Sequence, residues 1–179
     1  MNVLVFVVRV VLALFACNIV LAKENAGNLC AENEKEVASC LLEGPEPKVM
    51  SFCADRLGVT SYYLRVNKKI EKDIKFSSQR QLYRWQDSDT YVTFLGFDQD
   101  GYSYVLGVPQ ETLGAKAFWL TKRSGEPLDF NAPEFCTHNS FGDKDIVNGT
   151  IMDIEDRIVR DNKFLFPPIE GTEHKSPKP

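Results

Sequence analysis

Between Glu36 and Phe76 the chain reads EVASCLLEGPEPKVMSFCADRLGVTSYYLRVNKKIEKDIKF, and this run leaves little room for anything but extended backbone. Glu36–Cys40 and Lys48–Cys53 are short runs rich in β-branched and apolar residues, separated by the turn former Glu43-Gly44-Pro45-Glu46-Pro47. Val49, Ser51 and Cys53 share one face of the second run, and Met50 and Phe52 share the other. Past Gly58, Tyr62, Leu64 and Val66 alternate with Tyr63 and Arg65, and Ile70, Ile74 and Phe76 mark a fourth strand. The period is two, which describes a β-meander. A helix here would have to absorb Pro45, Pro47 and Gly58.

The motifs of this region, CAENEKEVASC, KVMSFCAD and YYLRVNKKIE, resemble a family of small exported bacterial β-proteins of unknown function. The shared pattern is Cys, then Glu-Lys-x-x-x-Ser-Cys, then Ser-x-Cys-Ala, a tyrosine-rich strand and an acidic-aliphatic strand. Here it falls on Cys30, Glu34, Lys35, Ser39, Cys40, Ser51, Cys53, Ala54, Tyr63, Arg65, Ile70 and Glu71. The third strand continues Arg65-Val66-Asn67 where the family has Arg-Phe-Gly. The resemblance spans about Cys30 to Phe141, and it implies an exported β architecture without an assigned activity.

The N-terminus points to the same compartment. Residues 1–22 are apolar apart from Asn2, Arg9, Cys17 and Asn18, and Val20 and Ala22 satisfy the small-residue rule for cleavage before Lys23. Arg9 breaks the run too early for a membrane anchor, which needs about 20 apolar residues. Leu14-Phe15-Ala16-Cys17 is a poor lipoprotein box, because Phe15 is bulky and the residues after Cys17 stay apolar. A periplasmic or secreted protein is expected, with no membrane span after cleavage. Losing Arg9 makes the product slightly more acidic than the whole chain, whose net charge is −4. That disfavours a nucleic-acid partner, which wants a basic face, and is compatible with a cationic protein partner.

Cys17 leaves with the leader, so Cys30, Cys40, Cys53 and Cys136 remain, an even set that reads as two disulfides. If Glu36–Cys40 and Pro47–Cys53 form a hairpin around a 41–46 loop, Cys40 and Cys53 lie about six residues apart along the ladder. At about 3.3 Å per residue that is far beyond disulfide reach, so Cys40–Cys53 is excluded. Of the two connectivities left, Cys30–Cys53 with Cys40–Cys136 is the expected one, since it ties the first strands to the end of the domain. The metal alternative lacks any C-x-x-C or H-x-x-H spacing, and no cofactor is implied.

Further on, Leu82–Trp85 is a strand and Gln86–Thr90 a turn. The clearest hairpin follows: Tyr91–Phe97, a turn carrying Asp100-Gly101, and Tyr102–Val108. Both faces of that pair are apolar, so it should be central, either covered on both sides or closed into a barrel. Ala117–Thr121 is another strand and Pro127–Phe130 a further short one. Val147, Ile151, Ile154 and Ile158 are spaced for a helix. The expected fold is mainly β: a small antiparallel β-barrel or strongly curved meander of about 8–9 strands, with one or two short C-terminal helices. It divides into a signal peptide (1–22), one disulfide-linked domain (23–162) and a flexible Pro-rich tail (163–179).

Chemistry is thin. His138, with Thr137, Ser140 and Asp143 near it in sequence, lacks the turn of a hydrolase triad, and His174 lies in the tail. Asp98-x-Asp100-Gly101 is explained by the hairpin turn better than by calcium, and Asn148-Gly149-Thr150 is a sequon whose default meaning is a turn. The aromatics are more informative, because Tyr and Trp give large, rigid contacts with a polar tip. Tyr83, Trp85 and Tyr102 flank turns, and with Ser88, Asp89 and Tyr91 they form the candidate binding surface. Ser88-Asp89-Thr90-Tyr91, Phe118-Trp119 and the late cysteine also resemble, at the level of fold, the periplasmic inhibitors of C-type lysozyme. Their Ser-Gly-x-x-Tyr loop is one residue longer and has a glycine that is absent here. Two readings follow: a non-catalytic binding or inhibitor-type module of the cell envelope, or an envelope hydrolase using a carboxylate pair.

Overall fold

The computed structural model describes residues 27–110, 114–140 and 142–168, excluding the side chains of 138–140. The leader with its cleavage site, His174 and the last part of the tail lie outside these residues. The elements are β1 (Lys35–Leu42), β2 (Lys48–Ala54), β3 (Thr60–Val66), β4 (Lys69–Lys75), β5 (Leu82–Gln86), β6 (Thr93–Gln99), β7 (Tyr102–Val108), β8 (Phe118–Arg123), β9 (Glu134–Phe135), β10 (His138–Ser140), β11 (Ile151–Ile154) and α1 (Asp156–Asp161). They form two open sheets, ordered β10-β1-β2-β3-β4 and β11-β5-β6-β7-β8-β9, here sheet 1 and sheet 2.

The expected barrel is therefore not closed. The chain leaves β4 for a new sheet at Leu82, and β4 and β5 do not pair. The two sheets stack instead, through Phe52, Tyr62 and Phe76 of the first half against Phe97 and Trp119 of sheet 2. The rings of Tyr62 and Phe97 lie 4.8 Å apart, and Tyr62 stacks on Trp119 at 5.9 Å. Every pairing is antiparallel except β11 on β5, which is parallel.

That parallel strand corrects the helix expected from residue 147 onward. Ile151 pairs with Leu82 and faces the inter-sheet core, whereas Ile154 pairs with Trp85 and is buried on the opposite side. Two buried residues three apart imitate a helical stripe when they sit on opposite faces of one covered strand. Among the described residues only Asp156–Asp161 is an α-helix, one short helix. Pro127–Phe130 is not a strand; Leu128 N–H donates to the Phe164 carbonyl and packs as coil on sheet 2.

Sheet 2 is covered on both faces, as the apolar faces of β6 and β7 require. Its outer layer is made by Trp85, Phe94, Val105 and Leu120 under Leu128, Val159 and Phe166. Gly96 makes this possible, since a β-carbon there would stand 2.7 Å from Phe166 Cε1. Phe166 is fully buried and Phe164 packs beside it, so the tail expected from residue 163 belongs to the domain as far as Pro168.

Both disulfides are Cys30–Cys53 and Cys40–Cys136, with Cα separations of 5.5 and 5.2 Å. The β1–β2 register differs from the expected one: Cys40 faces Met50, and the loop is 43–47. Cys53 still lies three residues further along the ladder, about 10 Å away, so the exclusion of Cys40–Cys53 survives the shift.

Candidate functional site

Where β5 ends and β6 begins, the turn 87–92 rests against α1, and the contact is polar. Asp87 is nearly buried. Its Oδ1 accepts from the Asp89 N–H, its Oδ2 from the Thr90 hydroxyl, and it is ion-paired with Arg160 of α1. Arg160 also reaches Asp89 Oδ2 at 2.9 Å and Asp156 Oδ2 at 2.9 Å. Asp156 in turn accepts from Trp85 Nε1 at 2.8 Å and from the Ser88 hydroxyl at 2.5 Å. Burial pushes the Asp156 carboxyl up, but the donors Ser88, Trp85 and Arg160 outweigh it and hold it below the usual carboxylate range. The loop is thus fixed by its own Asp87, Ser88, Asp89 and Thr90 side chains together with Asp156 and Arg160. Where the turn closes, Tyr91 donates its N–H to the Asp87 carbonyl, adopts a left-handed φ of 57° and is 54% exposed.

Beside the loop lies a half-open cavity of about 410 Å³ lined by Arg84, Gln86, Thr93, Asp145, Asp153, Ile154 and Asp156. The strand registers explain the set. Arg84 of β5 faces Asp153 of β11, and Gln86 faces Thr93 of β6, all on the inner side of sheet 2. Arg84 is spent on support: Nε and Nη2 donate to the two Asp153 oxygens, and Nη1 donates to the carbonyls of Lys144 (2.9 Å) and Ile146 (2.8 Å). Asp145 and Asp153 remain largely exposed at the rim. Thr93 is 1% exposed, and its hydroxyl is buried without a hydrogen-bond partner.

No family model, curated protein or solved structure matches this chain. Function has to be read from the geometry.

Of the residues expected at a binding surface, Ser88, Asp89 and Tyr91 are brought together on the clamped loop. Trp85 is not on a surface: it is 1% exposed, stacks on Phe94 with centroids 4.4 Å apart and contacts Phe164 and Phe166. Its part is to hold Asp156 from below. Tyr83 lies partly buried on the same face of β5. Tyr102 is exposed but distant, for it pairs with Gln99 at the opposite end of the β6–β7 hairpin, about 20 Å along the strand from Thr93.

Sequence reasoning missed Arg84, Thr93, Asp145, Asp153, Asp156 and Arg160. The last two were within reach, being an Asp/Arg pair four apart in the segment read as helical. The residues of the Cys30–Glu71 pattern, by contrast, are spent on structure. The Ser39 hydroxyl donates to Ser51 (2.9 Å), Ser51 accepts the Leu29 N–H, and the Tyr63 hydroxyl donates to Glu34 (2.8 Å). These bonds and Cys30–Cys53 seat the segment 27–34 on the outer side of sheet 1. Among the described residues no three His, Cys, Asp or Glu side chains form a metal-ligand set, and no helix is long and apolar enough to cross a membrane. Two disulfides fit an oxidising, extracellular environment.

Proposed function

We propose that this is an exported, non-catalytic binding module of the cell envelope, of inhibitor type, which engages another protein through the 87–92 loop and the cavity beside it. The carrying observation is the clamp: Asp87, Asp156 and Arg160 pin the 87–92 loop in one shape, with Tyr91 exposed where it closes. A binding loop held rigid before contact loses little conformational entropy on association. The acidic chain suits a cationic partner, reached in the periplasm or outside the cell.

The carboxylate-pair hydrolase finds less support. A general acid on a polymer needs a carboxyl raised toward neutrality, whereas Asp156 is held low and Asp153 is matched to Arg84. The test uses the oxidised mature protein against a C-type lysozyme and against envelope extract, with peptidoglycan alone as the control. A salt-sensitive complex that Tyr91→Ala or Asp89→Lys weakens supports the module. Hydrolysis of peptidoglycan by the purified protein, with no complex formed, overturns it.

A further inference from the structure

Independently of the 87–92 loop, we infer that Cys30–Cys53 is a thiol–disulfide exchange site, at which an external dithiol releases residues 27–34 from sheet 1. The two disulfides differ in what a reductant must disturb to reach them. Cys40 and Cys136 are buried in the inter-sheet core, so approach to them requires the two sheets to part. Cys53 is buried in β2, but Cys30 is half-buried on a segment that lies outside both sheets. Approach from the Cys30 side requires only that this segment shift, a local opening rather than a global one.

Little besides the covalent bond holds the segment down. None of residues 27–34 is buried. Among the described residues no backbone–backbone hydrogen bond joins it to a strand; its own runs from the Glu34 N–H to the Ala31 carbonyl. Three bonds that use side chains tie it to sheet 1: Leu29 N–H to Ser51 Oγ (2.9 Å), Asn28 Nδ2 to Glu36 Oε2 (2.7 Å) and the Tyr63 hydroxyl to Glu34 Oε1 (2.8 Å). The face around Cys53 is also not apolar core. Ser39, Ser51 and Ser61 lie there, opposite in sense to Phe52 and Tyr62. Water can satisfy those hydroxyls, so uncovering them costs far less than uncovering an apolar face. In the exchange, a thiolate attacks Cys30 Sγ and forms a mixed disulfide. The Cys30–Cys53 bond breaks, and its electron pair leaves on Cys53 Sγ, which takes a proton from water. The second thiol of the reagent then displaces Cys30, so the dithiol ends as a disulfide and both cysteines as thiols.

The experiment treats the oxidised mature protein with dithiothreitol in native buffer, quenches samples with iodoacetamide at intervals, and follows each cysteine by mass spectrometry. Cys30 and Cys53 should be alkylated together, about tenfold or more ahead of Cys40 and Cys136, and the difference should vanish in urea. In the singly reduced protein a glutamate-specific protease should cut after Glu32 about tenfold faster than in the oxidised protein, with tryptophan emission unchanged. Cys30→Ser/Cys53→Ser should be cut at the faster rate without reductant, and dithiothreitol should not speed it further. Should that variant fail to fold, the selectively reduced wild type decides. Reduction of both disulfides at one rate overturns the inference. So does a Glu32 site that stays as slow to cut after selective reduction, because the bond then does not hold the segment. Loss of the native tryptophan emission on selective reduction overturns it as well, since Cys30–Cys53 is then part of the fold and not a releasable tie.

Discussion

The two disulfides should differ in what they contribute, and the order follows from topology. Cys40–Cys136 closes a separation of 96 residues and Cys30–Cys53 one of 23. If a cross-link acts mainly by restricting the unfolded chain, the first contributes about 4.7 kcal/mol and the second about 3.4 kcal/mol. The native state widens the gap. Cys40 and Cys136 are 0% and 1% exposed in the inter-sheet core, at the place where the chain passes from β9 back to β10 on sheet 1. Replacing both by alanine leaves a void that costs about 1 kcal/mol more. In the other pair Cys53 is buried but Cys30 is only half-buried on the outer side of sheet 1, so a smaller void is left there. Since a domain of this size has about 5–15 kcal/mol in total, Cys40→Ala/Cys136→Ala should sit near the edge of folding, while Cys30→Ala/Cys53→Ala should remain folded. Urea unfolding followed by fluorescence reads this directly, because Trp119 lies in the inter-sheet core and Trp85 in the outer layer. A Cys30/Cys53 variant that loses as much as the Cys40/Cys136 variant would refute the reasoning.

Other outcomes follow from single contacts. Asn148→Ala should cost about 1–3 kcal/mol in thermal unfolding, because Asn148 Nδ2 donates to Thr60 Oγ1 while its Oδ1 accepts from the Thr150 N–H and hydroxyl, clasping sheet 1 to the start of β11. With that nitrogen engaged, mass spectrometry should find the Asn148 sequon unmodified even in a host that glycosylates. Phe166→Ala should cost about 3–5 kcal/mol by urea unfolding, a result impossible for a residue in a free tail. For Asp156 the folded pKa lies below the unfolded value, so its contribution is complete above about pH 4 and is lost as pH falls through the lower folded value. Amide exchange in residues 87–92 should therefore accelerate relative to β6 as the pH is lowered below about 4, and Asp156→Asn should abolish that pH dependence.

Much of the strand order was legible because alternation is a local property. β1 through β4 and the β6–β7 hairpin carry their own turns, Pro45 to Pro47, Gly58 and Asp100-Gly101, within a few residues of the strands they join. What could not be read was how the two halves relate. Closing a barrel and stacking two sheets demand the same alternation, and the choice depends on whether β4 pairs with β5. That is decided by core shape: the ring of Phe97 meets Phe52 and Phe76 edge-on and Tyr62 at a tilt across the gap. The parallel strand β11 was hidden for a related reason. Its partner Leu82–Trp85 lies some 69 residues away, so no local turn announces it.

The error over Trp85 and the error over the tail are one error. With residues 163–168 taken as free chain, the outer face of β5 loses the cover of Phe164 and Phe166, and an aromatic beside a turn on that face reads as exposed. Phe164 and Phe166 supply the missing layer, and Trp85 becomes its floor. The same change creates the site. Once β11 is paired and α1 is anchored on sheet 2, Asp153 is placed against Arg84, and Asp156 and Arg160 against the 87–92 loop. The candidate site is thus a product of the C-terminal segment folding back. Ser88, Asp89 and Tyr91 could be picked out because a turn near aromatics is visible in one dimension, whereas the charges that give the loop its shape come from more than 60 residues further along the chain.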